Sequence, residues 1–207
     1  MTNTLHRLGT HENLSHDYIV FLSAAGGINR EGCAEKLKAF LRMALEEGPV
    51  NIGSMGRNLF TADAETIVTS ITDDSGATAT FSDPEAVRRL VGKLKEADMG
   101  ISVNISGLAA EVDDILRSHG IVRHSIEHSL GVFGRTERLP TRQILELTTM
   151  CGHGLVSYNH ARKMVDWVKL GKLKPRDAAR YLARPCVCGA FNVDRAEELL
   201  AKAVEKG

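Results

Sequence analysis

The sequence predicts an α/β domain followed by a small helical unit. Between residues 17 and 134, short runs of β-branched and aromatic residues alternate with amphipathic helical patterns. After Leu139 the strand-like runs stop, and four short helical patterns follow, separated by prolines and glycines. We therefore expect a polar N-terminal tail over residues 1–16, an α/β domain over 17–134 and a helical unit over 135–207.

The α/β domain is predicted to begin with a buried strand over residues 17–23, an apolar run that ends at Ala24-Ala-Gly-Gly27. A helix follows over residues 30–47, where apolar residues recur at helical spacing until Gly48-Pro49. Residues 66–72 and 77–81 flank Asp73-Asp-Ser-Gly76 and are expected to form two paired strands.

A second helix is predicted over residues 84–97, because Ser82-Asp-Pro-Glu85 supplies a capping side chain, a first-turn proline and an acid. A strand over 101–105, a helix over 108–118 and an extended stretch over 121–132 complete the domain. The order β-α-β-β-α-β followed by α-β predicts a ferredoxin-like or related open sandwich with an extension.

The helical unit is expected to contain helices over 141–150, 157–170, 175–183 and 193–204. Each is too short to be stable alone in water. A metal ion, or packing against the α/β domain, is therefore expected to stabilise the unit.

The charge balance excludes some classes of partner. Lys and Arg number 26, as do Asp and Glu, so the net charge is zero and the broad basic field typical of nucleic-acid binding is missing. No apolar run approaches the roughly 18–20 residues of a membrane span, and residues 1–16 lack a signal peptide's apolar core. We expect a cytoplasmic protein with reduced thiols and neither a nucleic-acid nor a membrane partner.

Three of the four cysteines lie in the predicted helical unit. Cys151 precedes His153 by two residues, and Cys186 precedes Cys188 by two. Both segments are loop-like, and their glycines allow backbone N–H groups to approach a sulfur and stabilise its charge. Asn192 is expected to cap the last helix, whose positive end then faces the thiolates. The pattern predicts a metal site with Cys151, His153, Cys186 and Cys188 as ligands.

The ligand spacing favours iron over zinc. Structural zinc sites use cysteine pairs with two to four residues between them, whereas Cys186 and Cys188 have only one between them, a tighter spacing that suits two irons of one cluster. An iron–sulfur cluster, with [4Fe–4S] favoured, is therefore the first hypothesis, and zinc is the alternative. A thiol-redox site and buried cysteines without metal are the remaining interpretations. Cys33 lies on the apolar face of the first helix and is expected to be a buried thiol.

The role of His153 decides the expected function. If three cysteines hold a [4Fe–4S] cluster, one iron is open and can act as a Lewis acid, with His153 as catalytic proton donor or acceptor. We expect an enzyme of lyase, hydration or desulfuration type acting on a small molecule. The alternatives are a non-catalytic protein with a Cys3His zinc site and a closed-cluster electron-transfer or sensor module.

Two strand-to-helix loops in the α/β domain are candidate small-molecule sites. Loops at the carboxyl ends of strands often bind small ligands, although ordinary tight turns remain the alternative. A cluster loop at a domain edge is easily shielded by a neighbouring subunit, so a homo-oligomer is a further hypothesis. The candidate ligand-binding residues are Gly26, Gly27 and Asn29 in the first loop, and Ser106 and Gly107 in the second.

Overall fold

The protein has a mixed α/β fold built on one five-stranded antiparallel sheet. The computed structural model describes residues 4–54 and 56–205, with the backbone alone at Glu205. Residues 1–3 of the predicted tail and 206–207 of the predicted helical unit lie outside the described residues. The strands are β1 (Tyr18–Ser23), β2 (Asn51–Ser54), β3 (Arg57–Asn58), β4 (Gly76–Phe81) and β5 (Ser102–Ser106), in the spatial order β3-β2-β4-β1-β5.

Helices precede, connect and follow these strands. In chain order they are α1 (His11–Leu14), α2 (Cys33–Glu46), α3 (Ala64–Thr69), α4 (Pro84–Ala97), α5 (Ala109–Ser118), α6 (Arg142–Thr148), α7 (Tyr158–Lys169), α8 (Pro175–Ala183) and α9 (Val193–Glu205). The four helices predicted after Leu139 are confirmed, as are the first strand and the helices over 30–47 and 84–97. No described helix combines the length and apolar content needed to cross a bilayer.

One face of the sheet packs against α2, α3 and α4. Alternate residues of the strands, among them Val20 and Leu22 of β1 and Phe81 of β4, are buried there against apolar residues such as Leu37 and Leu90 of the helices. This alternation is what a strand with two different faces requires. The layer forms the first of two hydrophobic cores.

The expected strand over residues 66–72 is wrong, because α3 occupies most of it. Asp63 caps this helix, accepting hydrogen bonds from the backbone N–H of Thr66 at 2.8 Å and from its hydroxyl at 2.7 Å. Ile67 and Val68 then bury one side of the helix. The cap and this burial override the β preference of the branched residues. The partners of β4 are therefore β1 and β2.

The expected final strand over 121–132 is not found either. Within the described residues, the segment from 121 to 135 has no regular secondary structure, and β5 is an edge strand paired with β1 alone. A short antiparallel pair of β2 and β3 occurs instead, in which Gly53 pairs with Asn58 and Ser54 pairs with Arg57.

The second face of the sheet carries polar residues and is covered by helices α6 to α9. These helices form the second hydrophobic core, which also includes Ile19 of β1. The sheet contributes Asn51, Asn58 and Thr80 to this interface, all fully or almost fully buried. Since buried polar groups need partners, this face must bond to whatever covers it.

A buried ionic network joins the chain before β1 to α9. Asp17 pairs with Arg7 and, at 2.9 Å, with Arg195, and all three side chains are almost wholly shielded from solvent. Arg195 also bonds Asn13 and the carbonyl of Leu8. Leu8 and Asn13 of the predicted tail thus contact α9, while the division into three domains remains a prediction.

Candidate functional site

The fold brings Cys151, Cys186 and Cys188 together at the edge of the helical unit. Cys151 follows α6, and the other two lie between α8 and α9. The Sγ atoms of Cys186 and Cys188 are 4.0 Å apart, and the Cys186 thiol also hydrogen bonds to Cys151. Cys151 and Cys186 are buried, Cys188 is partly exposed, and none forms a disulfide. Three sulfurs separated by up to 37 residues of sequence therefore meet in one cluster.

The surroundings of Cys151 favour its ionised form. The hydrogen bond from Cys186, together with backbone N–H groups of Leu155 and His153, lowers the pKa of Cys151 from its ordinary 9.0 to about 6, although burial and the charge of Cys188 oppose the change. The Cys151-Gly-His-Gly-Leu155 turn thus wraps the sulfur with N–H donors. An ionised thiol is the form that binds metals.

Cys186 is the protonated partner. Its hydrogen bonds to Cys151 and Cys188, together with its burial, raise the pKa of the Cys186 thiol well above its usual range. A bound cation would instead favour ionised Cys186, because a cation stabilises the ionised form of every sulfur that it contacts.

Asn58 fixes the chain that carries Cys186. Its buried side-chain amide donates to the carbonyls of Ala183 at 3.1 Å, Arg184 at 3.3 Å and Cys186 at 2.7 Å. The last carbonyls of a helix have no hydrogen-bond partner within the helix. The Asn58 amide, which belongs to the sheet, therefore caps the end of α8. The position of Cys186 is therefore set by β3.

Two glycines allow the cysteine loop to lie directly on β2. A Cβ atom at Gly53 would come closer than 3.0 Å to the backbone of Cys188, and one at Gly189 would come equally close to the backbone of Ile52 and Gly53. Gly189 also has a φ of +75°, a conformation in which side chains are strained. Only glycine fits both positions without a shift of the backbone.

Hydrogen bonds complete the attachment of the loop to the sheet. The carbonyl of Gly189 accepts from the Thr80 hydroxyl at 2.9 Å, and the carbonyl of Val187 accepts from the backbone N–H of Gly56 at 3.1 Å. Asn192 accepts from the backbone N–H of Arg195 at 3.0 Å, which confirms it as the cap of α9. The positive end of α9 therefore begins five residues after Cys188.

Comparison with known proteins finds no match. No known protein family, no curated protein and no solved structure is significantly similar to this chain. The function must therefore be argued from the residues themselves.

His153 contributes its backbone, rather than its ring, to the observed cluster. Its N–H group points to the Cys151 sulfur, while the residue as a whole is exposed. Among residues 4–54 and 56–205, no group of three or more His, Cys, Asp or Glu side chains is arranged to hold a metal ion. The sulfurs meet as a hydrogen-bonded chain, and the metal and catalytic roles predicted for these residues remain predictions.

Three of the predicted ligand-binding residues line a groove of about 1240 Å³ along β5: Asn29, Ser106 and Gly107. Asn29 uses its side-chain amide within the protein, accepting from the N–H of Ala25 and donating to the carbonyl of Gly100, both at 2.8 Å. A Cβ at Gly107 would collide with the ring of Tyr18. These contacts explain the residue types without a ligand.

The remaining two residues lie apart from that groove's lining. Gly27 has a φ of +73°, as a tight turn requires, and a Cβ at Gly26 would approach the guanidinium of Arg30. The small-molecule role of Gly26, Gly27, Asn29, Ser106 and Gly107 remains a prediction.

Sequence reasoning missed the residues that hold the cysteine loop in place. Asn58, Gly53 and Thr80 are more than 100 residues before the cysteines that they position, and each is an unremarkable residue in its own segment. One signal was available, since Asn51 and Asn58 are amides within or beside apolar strands, where a buried amide needs a partner.

Proposed function

We propose that this protein binds a [4Fe–4S] cluster through Cys151, Cys186 and Cys188, and uses the fourth, open iron on a small-molecule substrate. The observation that carries the proposal is the meeting of the Cys151 thiol with the two thiols of the loop between α8 and α9, which the sheet holds in place. The fourth cysteine, Cys33, is buried in the other hydrophobic core, where its thiol donates to the carbonyl of Asp73 at 3.3 Å. Three thiolates with no fourth leave one iron of a cubane cluster without a protein ligand.

The surroundings of the sulfurs support an anionic cluster. Cys151 accepts two backbone N–H groups, and the N-terminus of α9 follows Cys188 closely. Hydrogen bonds to sulfur and a positive helix end both stabilise thiolate charge and help to set a cluster's potential.

The chemistry proposed for the site is Lewis-acid catalysis. An open iron polarises a hydroxyl, carbonyl or thio group, which suits elimination, hydration and desulfuration. His153 is the nearest exposed acid–base group in the sequence of the Cys151 turn, and histidine is the side chain that most often serves as a general acid or base. In this proposal His153 gives the substrate a proton or takes one from it.

A single zinc ion bound by Cys3His is the second candidate, and one distance favours it. Two thiolates on a tetrahedral zinc ion, each at about 2.3 Å, lie about 3.8 Å apart. The 4.0 Å between the sulfurs of Cys186 and Cys188 is close to that value. In this candidate the His153 ring turns inward as the fourth ligand, and the site has a structural role.

We further propose that the sheet and its helices α2 and α4 form a ferredoxin-like sandwich. The support is the chain order β1-α2-β2-β4-α4-β5 together with the spatial order β2-β4-β1-β5, in which every neighbouring pair is antiparallel. Strand β3 and helices α6 to α9 are then additions to that unit.

The test compares single Cys→Ser variants purified without oxygen. Cys151→Ser, Cys186→Ser and Cys188→Ser are each expected to lose most of the iron and the visible absorption, whereas Cys33→Ser, the matched control, retains both. Equal losses in all four variants would indicate general misfolding and contradict the proposal.

A His153→Ala variant separates the two candidates. The open-iron proposal expects the iron content to be unchanged, with the loss of any substrate-induced spectral change. A loss of metal as complete as in Cys151→Ser would make His153 a ligand and overturn the open site.

A further inference from the structure

An unpaired strand edge lies at the opposite end of the sheet from the β2–β3 hairpin. Strand β5 pairs with β1 on one side only, so the N–H and C=O groups on its outer side have no strand partner in the described part of the chain. Val103 on this strand is 40% exposed. Natural proteins rarely leave such an edge uncovered, because it is a template for pairing with another chain.

The same chain carries a segment without regular secondary structure that can pair with that edge, residues 122–133, which we name the arm. Within the described residues, no backbone–backbone hydrogen bond involves the arm. Val122, Ile126, Leu130 and Val132 lie at even-numbered positions and are 92%, 44%, 85% and 53% exposed. A period of two places them on one face of a strand together with His124 and His128, while the odd-numbered residues point the other way.

The arm stays separate from β5 of its own chain. Its base is fixed to α5, because the N–H of Ile121 donates to the carbonyl of Leu116 at 3.0 Å and Arg123 pairs with Asp113 at 2.6 Å. The groove of about 1240 Å³ lies between the strand and residues 122–129. Beyond its base, ten extended residues span about 33 Å, enough to reach a neighbouring molecule.

We propose that the occupant of this groove is the arm of a second copy, and that two copies exchange arms across a twofold axis. Each chain provides one free β5 edge and one arm, so a reciprocal exchange pairs the outer side of β5 in both copies. In each subunit the partner's arm extends the sheet beyond β5, with its apolar face continuing the surface of Val103 and Ile105.

The buried area is sufficient for a stable dimer. The arm exposes five large apolar side chains, the four above on one face and Phe133, which is 79% exposed, on the other. At about 100 Å² each they bury about 1,000 Å² over two arms. The backbone and the groove surface add to this, and stable interfaces begin near about 1,200 Å².

The first test is the mass of the full chain in solution, by light scattering. We expect twice the 22.5 kDa of one chain, and a monomer for the double variant Ile126→Ser/Leu130→Ser with an unchanged circular dichroism spectrum. The control is Leu170→Ser, which removes a side chain that is 66% exposed at the end of α7 and is expected to remain dimeric. A monomeric parent protein, or a dimeric double variant, overturns the proposal.

The second test separates exchange from pairing within one chain. A chain carrying Asn104→Cys and a differently tagged chain carrying Ser125→Cys are co-expressed and treated with a short bis-maleimide. A product joining the two tags is expected, and it should be absent when either variant is paired with the parent chain. Cross-linking confined to a single chain carrying both substitutions would show that the arm pairs with its own β5.

Discussion

A few close contacts at single residues determine the position of the cysteine loop. The loop touches β2 through two glycines, and one asparagine amide collects three carbonyls at the end of α8. The glycines bring two backbone segments into direct contact, and the asparagine amide is buried. A larger side chain at the glycines, or an apolar side chain at the asparagine, is therefore poorly tolerated. The sulfur positions therefore depend on residues other than the cysteines themselves.

Gly189→Ala tests the closest contact. The new methyl group would collide with β2 and require a strained φ, so we expect a loss of about 3 kcal/mol in the free energy of unfolding, measured with urea. Gly171→Ala is the control, because its φ is +67° with no atom within 4 Å of the added Cβ. It should cost about 1 kcal/mol. Equal losses in both variants would show that the close approach contributes nothing.

Asn58→Leu tests the cap of α8. It removes the side-chain donor to three carbonyls, of which those of Ala183 and Cys186 keep a backbone N–H partner, and we expect a loss of about 1–3 kcal/mol in stability together with faster alkylation of Cys186. Asn159→Leu removes an exposed amide from the first turn of α7 and should change stability by less than about 0.5 kcal/mol. An Asn58 variant as stable as this control would contradict the cap.

At the scale of elements, local signals predicted the helices better than the strands. Pro84, with Asp83 accepting the N–H of Glu85 at 2.9 Å, fixes the start of α4 and was readable in the sequence. Residues 66–72 were misread, because their branched side chains favour a strand and only the Asp63 cap and tertiary packing make them helical. The β2–β3 pair was missed for a related reason: a strand of two residues has no periodicity to detect.

In the candidate site, too, features with a local sequence signal were predictable and long-range contacts were not. The convergence of Cys151 with Cys186 and Cys188 was predictable, since clustered soft ligands beside glycines suggest one site. The supports at Gly53, Asn58 and Thr80 were not predictable, because long-range pairing in space leaves no local pattern in a single sequence.

Arg195→Met tests the ionic link between α9 and the chain before β1. The change removes the donors to Asn13 and the carbonyl of Leu8, and leaves Asp17 buried with Arg7 as its remaining ion-pair partner. We expect a loss of about 3–5 kcal/mol in the free energy of unfolding. Lys202→Met on the same helix breaks an exposed pair at 3.4 Å and should cost less than about 0.5 kcal/mol. Similar costs for both would refute a buried ionic link.

At the scale of the whole molecule, the sheet is shared by two hydrophobic cores. Ile19 of β1 belongs to the core of the helical unit, while its neighbours Tyr18 and Val20 belong to the other. Asn51, Thr80 and Asn58 bond across the interface as well. The two halves are therefore expected to unfold as one unit.

The single tryptophan makes this cooperativity measurable. Trp167 packs against the core of the helical unit, so its fluorescence reports on that half, whereas far-ultraviolet circular dichroism reports on both. In a urea titration the two signals should have the same midpoint. A fluorescence transition at lower urea would show that the helical unit unfolds independently of the sheet.

The central claim is that three thiols hold an iron–sulfur cluster, and the metal content tests it most directly. The full chain, purified without oxygen, is assayed for iron, acid-labile sulfide and zinc, and its visible spectrum is recorded. The proposal predicts about four irons and four sulfides per chain with broad absorption near about 400 nm. One zinc per chain in a colourless protein would contradict it and favour the Cys3His site, and a chain without metal would contradict both.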